Sequence, residues 1–327
     1  MRAPAGHIQR FETIQEGASS FLIRQLGEGD LPALIALDAK ASGRPRRAFL
    51  TEKFAACVRQ PGLNTSLAAE ADGRLVGFLM GHVFFGEFGV PMSRAVLDVI
   101  GVQPEFRRAG AARALVTQYA KNVIGLRVEA LDTLVAWDRF DLLGFFKNLG
   151  FRPSRSVDLE WDLGSHPFVG RPAKAVVRPA RPDDLPAVTR IDAQYLPPAR
   201  PAYFTAKLEA SQGKAGNGLF LVAEAGGPNN GGPIAGYVVG SLFEGEFGIN
   251  ETRGVVESIG VAEAYRGSGA ASSLVAELRN RAVKLGATRM ETLCHWDQWE
   301  LLRFFAYIGF RPSPRLNLEL RLAEFSP

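Results

Sequence analysis

A chain of 327 residues, 46% hydrophobic and 22% charged, with a net charge of only +4, has room for two domains of about 150 residues and the composition of an ordinary globular protein. No run approaches the roughly 20 apolar residues of a membrane span, the basic residues are scattered among acids rather than gathered into a stripe for nucleic acid, and the polar start lacks the apolar core of a secretory leader. Two cysteines, Cys57 and Cys294, and four histidines without ligand spacing give no disulfide framework and no metal site, so the expectation is a cytoplasmic chain without metal, membrane or nucleic-acid partner.

Residues 1–19 read as a polar tail. The first apolar run, Phe21-Leu22-Ile23, reads as a strand and recurs as Ala175-Val176-Val177. Asp30-Leu31-Pro32 and Asp184-Leu185-Pro186 then open amphipathic patterns, with the acid placed to accept from the first free amides and the proline in the first turn, where its missing N–H costs little. Leu67–Glu70 and Arg74–Phe84 form a predicted hairpin, matched by Leu219–Ala225 and Ile234–Phe243. The turn formers Gly226–Pro233 replace the shorter Asp72-Gly73-Arg74, and the offset between copies changes there from 154 to 159 residues.

From that point the repeat runs without a gap, with about two residues in five identical. Gly86-Glu87-Phe88-Gly89 falls on Gly245-Glu246-Phe247-Gly248, Trp137-Asp138 on Trp296-Asp297, and Gly150-Phe151-Arg152-Pro153-Ser154 on Gly309-Phe310-Arg311-Pro312-Ser313. Such a period is too long for a solenoid and implies two domains: 20–165 and 174–327, joined by a Gly/Pro-bearing linker at 166–173. Each reads β, α, β, β, β, α, β, α, β, which predicts an α/β fold of the mixed-sheet (α+β) kind with helices on both faces.

The third β run of each copy ends in a segment suited to anions. In Val102-Gln-Pro-Glu-Phe-Arg107-Arg108-Ala109-Gly110-Ala111-Ala112 and Val261-Ala-Glu-Ala-Tyr-Arg266-Gly267-Ser268-Gly269-Ala270-Ala271, an arginine starts a turn, small residues follow, and a helix begins. A helix N-terminus offers unpaired N–H groups and partial positive charge, and small residues let a pyrophosphate approach the backbone.

Here the chain resembles the GNAT superfamily of acyl-CoA N-acyltransferases, whose signature is Gln or Arg, two residues, Gly, one residue, then Gly or Ala, after an upstream Val or Ile. Arg107, Gly110 and Ala112 match it with Val102 upstream, and Arg266, Gly269 and Ala271 match it with Val261. Each copy also closes with Phe-Phe and Gly-Phe, similar to the family's last helix and strand. The resemblance covers residues 20–165 and 174–322.

It implies two tandem GNAT domains that hold acetyl-CoA as cosubstrate in a splay between the fourth and fifth strands. Ile100, Val102 and Arg107 to Ala112 would line that site in copy one, and Ile259, Val261 and Arg266 to Ala271 in copy two. A backbone N–H near Val102 or Val261 would meet the thioester carbonyl, and a small-molecule or peptide amine would attack in a ternary complex. Proton removal calls for a base or relay on the same strand. Asp98 and Glu257 are the candidates; by the period of two they share a face with Ile100 and Ile259, turned to the splay or away from it.

The chain departs from the family in two places. Phe146 and Phe305 stand where many members have a tyrosine to protonate the leaving thiolate, and Arg139 and Gln298 replace an asparagine. An acyl-CoA-binding sensor, or a structural pseudoenzyme with at least one silent domain, is therefore the alternative. Copy two, with Gly267, Ser268 and the longer Glu257, is the better candidate for activity. Glu87 and Glu246 read as solvent-facing turn residues or ammonium ligands, Trp137 and Trp296 as core or pocket wall, and Asp138 and Asp297 as helix N-caps. Cys294 and His295 occur in copy two only and are given no role. The acceptor loops would include Arg44–Leu50 and Gly226–Pro233. Two linked copies can satisfy within a monomer, about an internal pseudo-twofold, the pairing that single-domain relatives obtain by dimerising.

Overall fold

The computed structural model describes residues 10–16, 19–43, 46–59, 65–85, 93–165, 168, 170, 175–212, 218–226, 232–244 and 251–325. Copy one contributes β1 (Arg10–Glu16), β2 (Ser19–Gln25), α1 (Leu31–Ser42), α2 (Arg47–Arg59), β3 (Leu67–Ala71), β4 (Arg74–Phe85), β5 (Ser93–Val102), α3 (Ala111–Gly125), β6 (Ala130–Ala136), α4 (Phe140–Asn148), β7 (Arg152–Pro153) and β8 (Ser156–Asp162). Copy two contributes β9 (Ala175–Pro179), α5 (Leu185–Asp192), α6 (Pro201–Gln212), β10 (Gly218–Ala225), β11 (Ile234–Glu244), β12 (Thr252–Val261), α7 (Ala270–Lys284), β13 (Arg289–His295), α8 (Trp299–Ile308), β14 (Arg311–Pro312) and β15 (Arg315–Arg321). Among the described residues no helix is long and apolar enough to cross a membrane.

Each sheet is mixed and covered on both faces. The spacing of Ala111, Ala114, Leu115, Val116, Tyr119 and Val123 gives α3 one broad apolar stripe, which packs on Leu79, Ala95 and Leu97 together with Phe146 of α4. On the other face Leu34 and Leu37 of α1 and Phe49, Leu50 and Phe54 of α2 cover Phe78, Met80 and Val99. Copy two repeats both layers, with Leu274, Val275 and Leu278 of α7 on one side and Val188, Ile191, Phe204 and Leu208 on the other.

Helices α2 and α6 were not expected. They are stapled to the preceding helices by matching buried ion pairs: Arg46 Nε lies 2.9 Å from Asp38 Oδ2, and Arg200 Nη2 lies 2.7 Å from Asp192 Oδ1. Asp30 and Asp184 do not cap their helices as expected. Their carboxylates accept instead from Arg24 and Arg178, and from the backbone N–H of Gly27 and Arg181. A bidentate guanidinium outcompetes a single amide for such a group. The polar tail also needs correcting, since residues 10–16 form strand β1, antiparallel to β2. Among the described residues copy two has no counterpart to this strand, so the repeat gave no sign of it.

The sheets do not follow the repeat. Their strand orders are β1-β2-β3-β4-β5-β6-β15-β7 and β14-β8-β13-β12-β11-β10-β9. The last long strand of each copy lies in the other copy's sheet: β15 pairs with β6 from Arg315↔Ala136 to Arg321↔Ala130, and β8 pairs with β13 from Ser156↔His295 to Asp162↔Arg289. A boundary near residue 170 thus divides the repeat but not the sheets. Both copies offer the same edge to a final strand, so pattern fixes the kind of pairing and not its partner. The expected linker lies almost wholly outside the described residues; of it, the Phe168 ring stands 5.9 Å from Trp161.

The crossing is tightly bonded. Ser154 N–H donates to Asn317 O at 2.9 Å, Ser313 N–H to Asp158 O at 2.8 Å, and the Asn317 amide to Ser154 Oγ at 3.0 Å. Pro153 and Pro312 fall on β7 and β14, both at sheet edges, where a missing donor is tolerated. Buried charge then ties the exchanged strands down: Arg94 of β5 holds Asp132 of β6 and Glu319 of β15, while Arg315 of β15 reaches Asp158 of β8 and Glu291 of β13 in the other sheet.

Two outcomes follow. Fragment 1–165, expressed alone, should elute as a dimer in size-exclusion chromatography, because its β8 reaches outward to a second sheet; a folded monomer would show that the strand can turn back. Arg315→Leu should cost about 3 kcal/mol in urea unfolding, because it leaves Asp158 buried without its cation and Glu291 with Arg253 alone. Arg321→Leu, at an exposed pair, should stay within about 0.5 kcal/mol.

Candidate functional site

The site begins where a parallel strand pair parts. Strands β5 and β6 share only the rungs Arg94↔Ala130, Ala95↔Leu131 and Val96↔Asp132, and β12 and β13 share only Arg253↔Arg289, Gly254↔Met290 and Val255↔Glu291. Beyond these, among the described residues, the far halves of β5 and β12 have no strand partner on that side, so part of their backbone faces a gap. A threonine hydroxyl closes the first missing rung in both copies: Thr133 Oγ1 donates to Leu97 O at 3.0 Å and Thr292 Oγ1 to Val256 O at 2.9 Å.

A β-bulge marks the same level. Pairing with β4 jumps from Met80↔Val99 to Gly81↔Leu97, and pairing with β11 jumps from Val239↔Ser258 to Gly240↔Val256. Asp98 and Glu257 are the extra residues. The bulge inverts the alternation, so the expected face needs correcting: Ile100 and Val102 pack toward α3, whereas Asp98 turns with Val99 to the α1/α2 face. Glu257 likewise turns away from Ile259, toward α6. Glycine opposite the bulge is obligatory at Gly81, where a Cβ would stand 2.2 Å from Val96 O and 2.4 Å from the Tyr119 hydroxyl.

Both acids are deeply buried and meet a lysine absent from the sequence expectation. Lys53 Nζ of α2 lies 3.2 Å from Asp98 Oδ2, and Lys207 Nζ of α6 lies 2.6 Å from Glu257 Oε2. His82 Nδ1 is 2.9 Å from Asp98 Oδ2, while Ser241 occupies the equivalent place and donates to Glu257 Oε1. Desolvation alone would raise the Asp98 pKa, but Lys53 and His82 outweigh it and hold the carboxyl at about 2. A carboxylate so strongly stabilised is a poor proton acceptor by itself.

After each strand a short 3-10 turn leads to the signature segment. Gly110 (φ 93°) and Gly269 (φ 88°) precede α3 and α7 in the left-handed region that favours glycine; neither supplies a side-chain cap, and in copy two the Ala270 N–H donates to Ser268 Oγ at 3.4 Å. Gly267 is also left-handed (φ 75°), and its counterpart Arg108 adopts the same conformation (φ 63°) as a non-glycine residue. Arg107 Nη2 donates to Ala41 O at 3.0 Å, and Arg266 Nε to the Tyr195 hydroxyl at 3.3 Å, which itself donates to Val261 O. The amides at each helix start, the helix dipole and the arginine together could hold an anion.

In copy two a cavity of about 1140 Å³ runs from this cradle into the splay. Glu257, Ile259, Val261 and Arg266 to Ala271 all line it, with Thr292, Phe304, Phe305 and Tyr307 on the opposite wall. The copy-one counterparts hold the matching positions: Ile100 and Val102 on β5, Arg107 to Gly110 in the turn, and Ala111 and Ala112 at the start of α3. These backbone cradles and the apolar splay fit a pyrophosphate followed by an extended thioester-bearing arm.

Other expectations change. Trp137 and Trp296 are half exposed rather than core, because they sit in turns after β6 and β13. Arg139 and Gln298, not Asp138 and Asp297, occupy the N-cap positions of α4 and α8. Phe146 and Phe305 are buried. Burial pushes the Cys294 thiol up to about 12, which removes it as a nucleophile. Glu87, Glu246, residues 44–45 and 227–231 lie outside the described residues. Among the described residues no cluster of three or more His, Cys, Asp or Glu side chains could hold a metal ion.

The depressed Asp98 pKa carries a pH signature. Its stabilisation is complete above about pH 4, where the unfolded carboxyl is also ionised, and is lost as pH falls toward 2. Asp98→Asn should therefore lower the Tm clearly at pH 7, and the difference from the parent should shrink between pH 4 and 2.

Comparison with known proteins places this architecture. The model of the acetyltransferase (GNAT) family matches residues 32–151 and again 185–310. A Yersinia enterocolitica protein, acetyltransferase YE1169, is 29% identical over 93 residues, covering 28% of the chain and 61% of that relative. Among solved structures, a tandem GNAT protein from the clavulanic acid biosynthesis pathway superposes with TM-score 0.64 at 17% identity, covering 94% of the chain and 99% of its own. A GCN5-related N-acetyltransferase from Sphaerobacter thermophilus gives 0.62 at 19% identity, covering 92% and 96%. At these identities the structures speak for the fold; the family model, matching both copies, shows that the chain belongs to the acetyltransferase (GNAT) family as a tandem two-domain member.

Proposed function

We propose that the protein is an N-acetyltransferase that moves the acetyl group of acetyl-CoA to a primary amine by direct attack in a ternary complex. The carrying observation is the duplicated site, in which a left-handed glycine and a helix N-terminus stand at the mouth of a splayed strand pair. The pyrophosphate would bind the amides from Gly110 to Ala112 and from Gly269 to Ala271, with Arg107 and Arg266 beside them. The pantetheine arm would then follow the open backbone of β5 or β12, whose outward N–H groups can receive charge from the thioester oxygen as the amine attacks. The acceptor is a small-molecule or peptide amine, and the unit of function is a monomer whose halves supply one another's strands.

Phe146 and Phe305 give the leaving thiolate no hydroxyl at the family's usual place. A thiol of pKa about 8.5 leaves adequately without an acid. The same observation favours a second reading, an acyl-CoA-binding sensor with at least one silent domain, which would hold the cosubstrate and release no thiol.

Calorimetric titration with acetyl-CoA tests the first step. Glycine replacements would strain a left-handed backbone, so Arg107→Glu and Arg266→Glu are the cleaner probes, both at exposed side chains. The parent should show two binding events, and each variant should weaken one of them roughly 10- to 100-fold, the range for a lost charge-assisted contact. Absence of binding in the parent would overturn the proposal. Binding without thiol release in the presence of any primary amine would favour the sensor.

A further inference from the structure

The signature arginine is anchored differently in the two copies. At the offset of 154 residues that pairs Asp38 with Asp192, Ala41 falls on Tyr195. Arg107 reaches the backbone of that position, donating from Nη2 to Ala41 O at 3.0 Å. Arg266 reaches the side chain instead. Its Nε donates to the Tyr195 hydroxyl at 3.3 Å, and its guanidinium carbon lies 5.1 Å from the centre of the ring. The hydroxyl in turn donates to Val261 O at 2.5 Å. Val261 ends β12, beyond the three rungs shared with β13, and Tyr195, Val261 and Arg266 all line the cavity of copy two.

We propose that Tyr195 is a positioning residue for the cosubstrate in copy two, holding Arg266 by Nε and by its ring so that both terminal nitrogens face the pyrophosphate of acetyl-CoA. The inference rests on the acetyltransferase reading above, and within it on cosubstrate binding alone. Nη1 and Nη2 form the end of a planar fork that can meet two phosphate oxygens at once. Among the described residues neither nitrogen of Arg266 has a hydrogen bond or an ion pair.

An exposed arginine ordinarily loses rotamer freedom when it engages a ligand. A ring against one face and a hydroxyl at Nε remove much of that freedom beforehand. The tyrosine is itself fixed at two points, by its hydroxyl on Val261 O and by its backbone N–H, which donates to Asp192 O at 2.9 Å. Asp192 is pinned by Arg200. Arg107, by contrast, has no ring against it among the described residues and spends a hydrogen of Nη2 on a backbone carbonyl. The two copies therefore hold the same anion with differently prepared arginines.

The test uses the full chain with copy one weakened by Arg107→Glu, titrated with acetyl-CoA in the calorimeter. In that background Tyr195→Ala should weaken binding by copy two roughly 3- to 10-fold, the cost of ordering one free arginine. Tyr195→Phe keeps the ring face, loses both hydroxyl contacts, and should fall between. In chains that also carry Arg266→Gln, both substitutions should change the affinity by less than twofold, because the tyrosine acts through that guanidinium. Binding by copy one, read in an Arg266→Glu chain, should not respond to Tyr195→Ala. The tyrosine is 44% exposed, and thermal melting of each variant verifies that the fold is kept.

A loss on Tyr195→Ala that is equal with and without Arg266 overturns the inference, since the tyrosine would then serve only the Val261 carbonyl and its own turn. So does a Tyr195→Ala chain within twofold of its Arg107→Glu parent. Both results leave the acetyltransferase reading standing. Failure of the unaltered chain to bind acetyl-CoA would remove that reading and the inference with it.

Discussion

The structure turns on an unpaired stretch of backbone. A strand inside a sheet must satisfy its N–H and C=O groups or lose a free energy comparable to the missing hydrogen bonds, yet β5 and β12 part from their parallel neighbours after three rungs. Everything nearby answers that constraint. Thr133 and Thr292 fill the first vacancy with a hydroxyl, and the bulge re-aims the strand so that what remains open faces a cavity and not the core. The bulge in turn is anchored on the opposite face by a buried lysine–carboxylate pair, held through α2 or α6, and those helices are pinned by Asp38–Arg46 and Asp192–Arg200. An ion pair of this kind adds little net stability but fixes one geometry.

The copies agree on this scaffold and differ in what lines it. Arg108 holds a left-handed conformation that Gly267 takes without strain, a difference of about 1 kcal/mol. Arg107 meets a backbone carbonyl at Ala41, whereas Arg266 stacks on Tyr195 with its guanidinium carbon 5.1 Å from the ring centre. Duplication has kept the elements that shape the splay and its bulge and released the side chains that surround them.

Much of the fold was legible because the sequence states it twice. The repeat located the hairpins, the signature turn and the final Phe-Phe helix, and glycines at matching places exposed the cradle. What was hidden has physical causes. Helices α2 and α6 carry weak periodicity and owe their place to ion pairs across 8 residues, invisible to local pattern. The period of two failed at Asp98 because a bulge breaks it, and nothing in Val96–Ile100 announces a bulge. Lys53 and His82 escaped notice because they join Asp98 from 45 and 16 residues away. The strand exchange was unreadable in principle, since β8 and β15 suit either sheet.

That exchange sets an order on synthesis. Sheet one cannot be finished until residues 315–321 have left the ribosome, and at about 5–20 residues per second its strand β6 waits on the order of 10–40 s for its permanent neighbour. During that interval the nascent chain already holds β8, a near-equivalent of β15, beside an apolar edge. A temporary pairing of β6 with β8 would shield that edge from aggregation. It would then have to be surrendered to sheet two, so the native arrangement is reached by a trade of partners and not by docking of two finished halves.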